Sequence, residues 1–198
     1  MKVKLKPYHT EGKIEVGLDE VGRGAISGPV VASAVILPPD FDYDIVKDSK
    51  KLSEKKRKVA YDLIKEYAIE YTISFVDAKS IDKFNILECT MAAMHSCLDK
   101  LTTKPNHILV DGNYFNQYDG IEHTCVVKGD NKFYSIAAAS ILAKVTRDEY
   151  MKEQHKLYPM YKWDSNKGYG SKDHREAIIS EGVSPQHRKT FLRNILQS

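Results

Sequence analysis

Val30 to Leu37 read VVASAVIL, an unbroken run of small and β-branched side chains. A strand built from it has no polar face to offer to water, so it must be covered on both sides. The run is far too short to span a bilayer. It therefore calls for a sheet with other layers packed against both faces. Just upstream, Ile14 to Asp19 alternate apolar and polar, and a glycine-rich link, Gly22 to Gly28, separates the two segments. The pair is expected to form neighbouring strands joined by a tight loop, with the first ending at Asp19.

Beyond these strands the periodicity changes. Ser53 can cap a helix reaching about Tyr67, with Val59, Leu63 and Tyr67 at four-residue steps as the face turned to the sheet. Glu70 to Val76 alternates as a third strand. Asn85 to Leu101 places Ile86, Met91, Met94 and Leu98 on a helical repeat. Ile108 to Val110 and Thr124 to Val127 read as short strands, and an Ala-rich helix runs from Phe133 until Pro159 stops it. Met160 to Ser171 is expected to be a loop, followed by two short helices, the second opened by Ser184 and Pro185 as N-cap and first turn. This order predicts an α/β fold, a mixed central sheet flanked by helices, in a single domain spanning 1–198 with a helical C-terminal portion from about 160 to 198.

At 198 residues the chain can bury a core without disulfides, and Cys89, Cys97 and Cys125 show no CxxC spacing. Neither a signal-peptide core nor a membrane span is evident, so a soluble, cytoplasmic protein is expected. The net charge of +3 says little about partners. The clustering of basic residues at Lys47 to Lys58, Lys162 to Arg175 and Arg188 to Arg193 says more, although any one cluster can be a solvated face.

Four acids stand where the chain turns. Asp19 and Glu20 lie at the first strand's end, Asp111 at the end of ILVD, and Asp130 in KGDNK ahead of the Ala-rich helix. Each alone is an ordinary turn former. Gathered at one sheet edge, they would repel one another unless cations bound among them, and hard oxygen ligands suit Mg2+ or Mn2+. Two such ions about 3.5–4 Å apart can drive in-line phosphodiester hydrolysis without a histidine or serine nucleophile. Asp148 lies over four helical turns beyond Asp130, so Asp130 is the better fourth ligand. The seven histidines show no HxH or HxxxH spacing, and His174 and His187 are expected at phosphate or solvent. Trp163, Tyr158 and Tyr161 can form a stacking platform or pack beneath the loop. Neither GxGxxG nor a P-loop occurs.

The flanking sequence sharpens this. GLDEVGRGAISGPVVASAVIL resembles the opening motif of the type 2 ribonucleases H. DSKKLSEKKR, VDGN, KGD, SIAAASILAKVTRDEYM and NKGYGSKDHR then follow in the order seen in ribonuclease HII, so the resemblance covers nearly all of the chain. It implies a ribonuclease H-like fold in which Asp19, Glu20, Asp111 and Asp130 are the catalytic, metal-binding acids. It further implies that Gly22, Arg23 and Gly24 sense the ribose 2′-hydroxyl and that Tyr169 stacks on the sugar beyond the RNA–DNA junction. Lys50 and Lys51 resemble the phosphate-contacting region, and Ser140 and Lys144, one helical turn apart, can both face substrate. The implied activity is endonucleolytic cleavage of the RNA strand of hybrids, and 5′ to single ribonucleotides embedded in duplex DNA, leaving 3′-hydroxyl and 5′-phosphate ends. A role in ribonucleotide removal and replication follows. A monomer is expected. RNILQS lacks a clear clamp-binding motif, which leaves a sliding-clamp partner open. The rival readings are ribonuclease HIII, which has the same core behind an N-terminal substrate-binding domain, and a non-catalytic hybrid-binding module.

Overall fold

The computed structural model describes residues 4–196. The first three residues and the last two, parts of the Met1–Lys6 start and of the RNILQS tail, lie outside that range. The unbroken apolar run becomes β2 (Val30–Ile36), buried along its whole length. It pairs antiparallel with β1 (Glu15–Val21), Val16 opposite Ile36 through Val21 opposite Val31. β1 thus extends two residues past the expected end at Asp19, because its pairing with β2 continues after the parallel pairing with its other neighbour has stopped.

Ser53 caps α1 (Glu54–Tyr67) as expected, accepting the Lys56 amide. The face turned inward differs from expectation. Ala60 and Ile64 are buried, whereas Val59 and Tyr67 are 51% and 45% exposed and Leu63 is half-buried. β3 (Glu70–Val76) pairs antiparallel with the outer side of β2. A helix not foreseen, α2 (Ala78–Phe84), is capped by Asp77 and meets α3 (Ile86–Asp99) at Asn85, whose φ of 66° bends the chain while its side chain caps α3. β4 (His107–Asp111) and β5 (Glu122–Val126) complete the sheet in parallel. The strand order is β3-β2-β1-β4-β5.

α4 (Tyr134–Leu157) crosses one face of β1 and β2. Ala137, Ala138 and Ala139 are all fully buried because this helix lies between the sheet and α1, so all its sides there meet protein. A side chain at Gly17 would place its Cβ 2.2 Å from the Ser135 carbonyl carbon, so only glycine lets α4 sit this close to β1. α3 covers the other face, against Val16, Leu18, Ala34, Ile36, Ile108 and Val110.

α5 (Trp163–Asn166), α6 (Lys172–Glu181) and α7 (Arg193–Leu196) form a smaller cluster around Trp163, Tyr161, Met151 and Leu192. The expected loop of 160–171 therefore contains α5. Ser184 and Pro185 open a turn rather than a helix, since the Ser184 amide and hydroxyl both engage Nδ1 of His187. Trp163 and Tyr161 are buried and pack beneath the loop. Among the described residues no helix is long and apolar enough to cross a membrane.

Candidate active site

Alternation along β1 sends Asp19 to the α4 face and Glu20 to the other. They meet through Asp111, the last residue of the adjacent parallel strand. Asp130 arrives on a short 310 turn, Gly129–Asn131, just before α4. The Asp111 carboxylate accepts the Gly129 amide at 2.7 Å, which ties this turn to the end of β4.

The electrostatics treat the four as one group. Burial, then the charges of Glu20 and Asp111, push the Asp19 carboxyl well above its ordinary range, against a hydrogen bond from Ser140. Burial also raises Glu20, where Arg23 opposes the shift and Asp111 adds to it. Asp130 is raised by burial and by the charges of Asp48 and Asp111. Asp111 is thus the charge felt by the other three. Four buried or half-buried hard-oxygen donors, three of which (Asp19, Glu20 and Asp130) disfavour their ionised forms, fit a divalent cation, which would offset the crowding.

Among the described residues, a trio that does bring potential ligand atoms within 4.8 Å of one another is His9, Glu15 and His107, at the opposite end of β1. Its atoms are already in use. Glu15 accepts from the amides of His9 and Thr10 and from Nδ1 of His107, whose Nε2 meets the Thr124 hydroxyl. It anchors the N-terminal segment to the sheet.

Around the acids, Ser140 shares a 3.0 Å hydrogen bond with Ser49, joining α4 to the 310 turn Ser49–Lys51 that carries Lys50 and Lys51. Lys51 reaches the Asn131 side chain and lies 3.5 Å from Asp48. Lys144 turns to Asp148 at 2.7 Å, and Arg57 flanks the same carboxylate, which keeps Asp148 in an ion pair apart from the four acids. A cleft of about 850 Å³ opens beside Asp130, lined by Lys47, Lys51, Lys128 and Lys132. Asp48, Lys128 and Lys132 were given no role by sequence reasoning, although Asp48 and Lys128 sit in segments that carried the resemblance.

The glycine-rich loop between β1 and β2 is held from beneath. Gly22 has φ +96°, and a Cβ there would fall 2.3 Å from Nε of Arg147. Gly24 has open space where a Cβ would be, so its backbone can be approached from outside. Arg23 pairs with Glu20 at 3.5 Å. Arg188, fully buried, donates through Nη1 to the Arg23 carbonyl and through Nε to that of Gly28. Because a peptide unit is planar and trans, drawing the Arg23 carbonyl inward turns the Gly24 amide outward. Burial, then the charge of Arg147, lowers Arg188 to about 9.

Tyr169 is 37% exposed and lies over the guanidinium of Arg147. His174 and His187, expected at phosphate or solvent, are buried instead. Nδ1 of His174 meets the Tyr169 carbonyl at 2.9 Å, and its Nε2 accepts from Nε1 of Trp163 and faces Nε2 of His187 at 3.2 Å.

Solved structures that superpose on this chain include ribonucleases H. The ribonuclease H2 of Pyrococcus horikoshii OT3 superposes with a TM-score of 0.76 at 27% identity, over 92% of this chain and 97% of that one. Bst-RNase HIII, solved in complex with Mn2+, shares the fold with a TM-score of 0.66 at 19% identity, over 96% and 73%. The class is thus a ribonuclease H-type nuclease. A curated ribonuclease HII of Parabacteroides distasonis is 52% identical over 94% of both chains, and the ribonuclease HII family model matches residues 16–194. The chain belongs to the ribonuclease HII family and is an endoribonuclease.

Proposed function

We propose that the chain cuts the RNA strand of RNA–DNA hybrids and also cuts on the 5′ side of single ribonucleotides embedded in duplex DNA, leaving 3′-hydroxyl and 5′-phosphate ends. The observation that carries this reading is the electrostatic coupling of Asp111 to Asp19, Glu20 and Asp130, next to the exposed backbone at Gly24. The four acids would hold two divalent cations, Mg2+ or Mn2+. When bound, these supply activation of water and neutralisation of charge developing on the scissile phosphate. The protein's own residues do the rest.

Backbone groups of Gly22, Arg23 and Gly24 read the 2′-hydroxyl, the feature that separates RNA from DNA at a given sugar. The open space at Gly24 supports this, since a side chain there would keep a sugar at a distance. Tyr169 packs its ring against the next sugar, and its partial exposure leaves a face free for that contact. Lys50 and Lys51 attract phosphates without regard to sequence. Ser140 orients Asp19, and Lys144 lends positive charge along the same side of α4. The protein works as a cytoplasmic monomer in ribonucleotide removal.

The test is incubation with a labelled DNA duplex containing one ribonucleotide, beside an all-DNA duplex, in Mg2+, Mn2+ or chelator. Cutting only 5′ to the ribonucleotide, and only with metal, is expected. Binding without cutting in either metal would replace this reading with the non-catalytic module.

A further inference from the structure

Arg147 lies on α4 with its side chain fully buried, and all its hydrogen bonds go to backbone carbonyls. Nε donates to Pro29 at 2.9 Å and Nη2 to Ser27 at 2.9 Å, both in the loop that continues from Gly22–Gly24 into β2. Nη1 donates to Lys167 at 2.7 Å, in the segment that leads to Tyr169. The Tyr169 ring centroid is 5.4 Å from the guanidinium carbon, within cation–π range. The two segments also touch directly, since the Gly168 carbonyl accepts from the amides of Ile26 and Ser27.

A charge buried on carbonyls alone is costly unless its hydrogen bonds are well formed, and a planar guanidinium holds its donors in a fixed fork. That fork therefore sets the distance between three carbonyls of two different segments. One segment carries the groups assigned to the ribose, and the other carries the ring assigned to the sugar that follows.

We propose that Arg147 is a positioning residue that sets the spacing between the ribose-reading loop and Tyr169, and thereby the preference for a ribonucleotide followed by a deoxyribonucleotide. This rests on the reading of Gly22–Gly24 and Tyr169 given above. Lysine keeps the charge and three donors, but they sit on one freely rotating nitrogen and cannot reproduce the fixed spacing of Nε, Nη1 and Nη2 on the three carbonyls.

The experiment measures kcat/KM on a duplex with one embedded ribonucleotide and on a uniform RNA–DNA hybrid, for the wild type, Tyr169→Ala, Arg147→Lys and the double variant. Circular dichroism and melting check the fold. Arg147→Lys is expected to lower the ratio of the two values at least about tenfold, as a displacement of reading groups does. The double variant is expected to fall no further than Tyr169→Ala. Gly168→Ala serves as a second variant should Arg147→Lys not fold. Its Cβ would lie 2.5 Å from the Ser27 carbonyl oxygen and push the same two segments apart, so it should lower the ratio too. If Tyr169→Ala lowers the ratio while the folded Arg147→Lys, or Gly168→Ala in its place, leaves it unchanged or slows both substrates equally, the proposal is overturned. If Tyr169→Ala itself leaves the ratio unchanged, the reading of Tyr169 falls and the proposal with it.

Discussion

The Asp111 carboxylate accepts the Gly129 amide at 2.7 Å, so the strand that supplies one acid holds the turn that supplies the next. Gly129 has little room to change. A Cβ there would lie 2.5 Å from Cδ1 of Ile136. Gly129→Ala is therefore expected to displace Asp130 and cut turnover roughly ten- to a hundredfold, with little loss of melting temperature because Ile136 can partly rotate away. Ile136→Val deletes the clashing Cδ1, so the double variant should recover most of the turnover. A double variant no faster than Gly129→Ala would show that the clash does not set the turn.

Lys50 and Lys51 differ in what they have free for phosphate. Lys51 lies 3.5 Å from Asp48 and reaches Asn131, which already neutralises part of its charge. Hybrid affinity titrated in chelator between about 50 and 200 mM salt should give a log–log slope that drops by roughly 0.9 in Lys50→Ala. Lys51→Ala should lower it less. An unchanged slope for Lys50→Ala would remove it from the phosphate-binding surface.

Burial, then the charge of His174, holds His187 down to about 4, against an ordinary value of 6.5. The Ser184 amide donating to Nδ1 already requires the neutral ring. Folded-state depression means that the stability tied to this group is complete above about pH 6.5 and is lost as pH falls toward 4. Urea unfolding between about pH 6.5 and 5 should show stability falling with a slope approaching about 1.4 kcal/mol per pH unit from this group. His187→Gln should flatten that slope, leaving the part due to His174. Equal slopes would place the acid sensitivity elsewhere.

What could be read from the sequence depended on whether a residue's signal was local. β2 was legible because seven apolar residues interrupted only by the small Ser33 have one structural solution, and Ser53 because a cap is decided within four residues. The inward face of α1 was misjudged because Val59 and Tyr67 at four-residue steps suggested burial, while the buried positions are Ala60 and Ile64, one residue further round the helix. α2 is seven residues of mixed polarity and carries almost no period. The four acids stood out at chain turns, yet their coupling through Asp111 needed the strand order, which no single segment encodes. Arg147 and Arg188 were invisible as buried groups because TRDEY and HRKT look like solvated surface. Their burial follows from carbonyls more than a hundred residues away in the chain.

The measurement that bears most directly on the account is Asp111→Asn, assayed for both turnover and hybrid affinity. Asparagine keeps an oxygen that can accept from Gly129, so the turn is held while the charge and the second ligand oxygen are lost. The account predicts turnover lower by roughly two to three orders of magnitude, with affinity within about threefold of the wild type, because the lost interactions belong to the transition state. Near-normal turnover in a folded Asp111→Asn protein would contradict it.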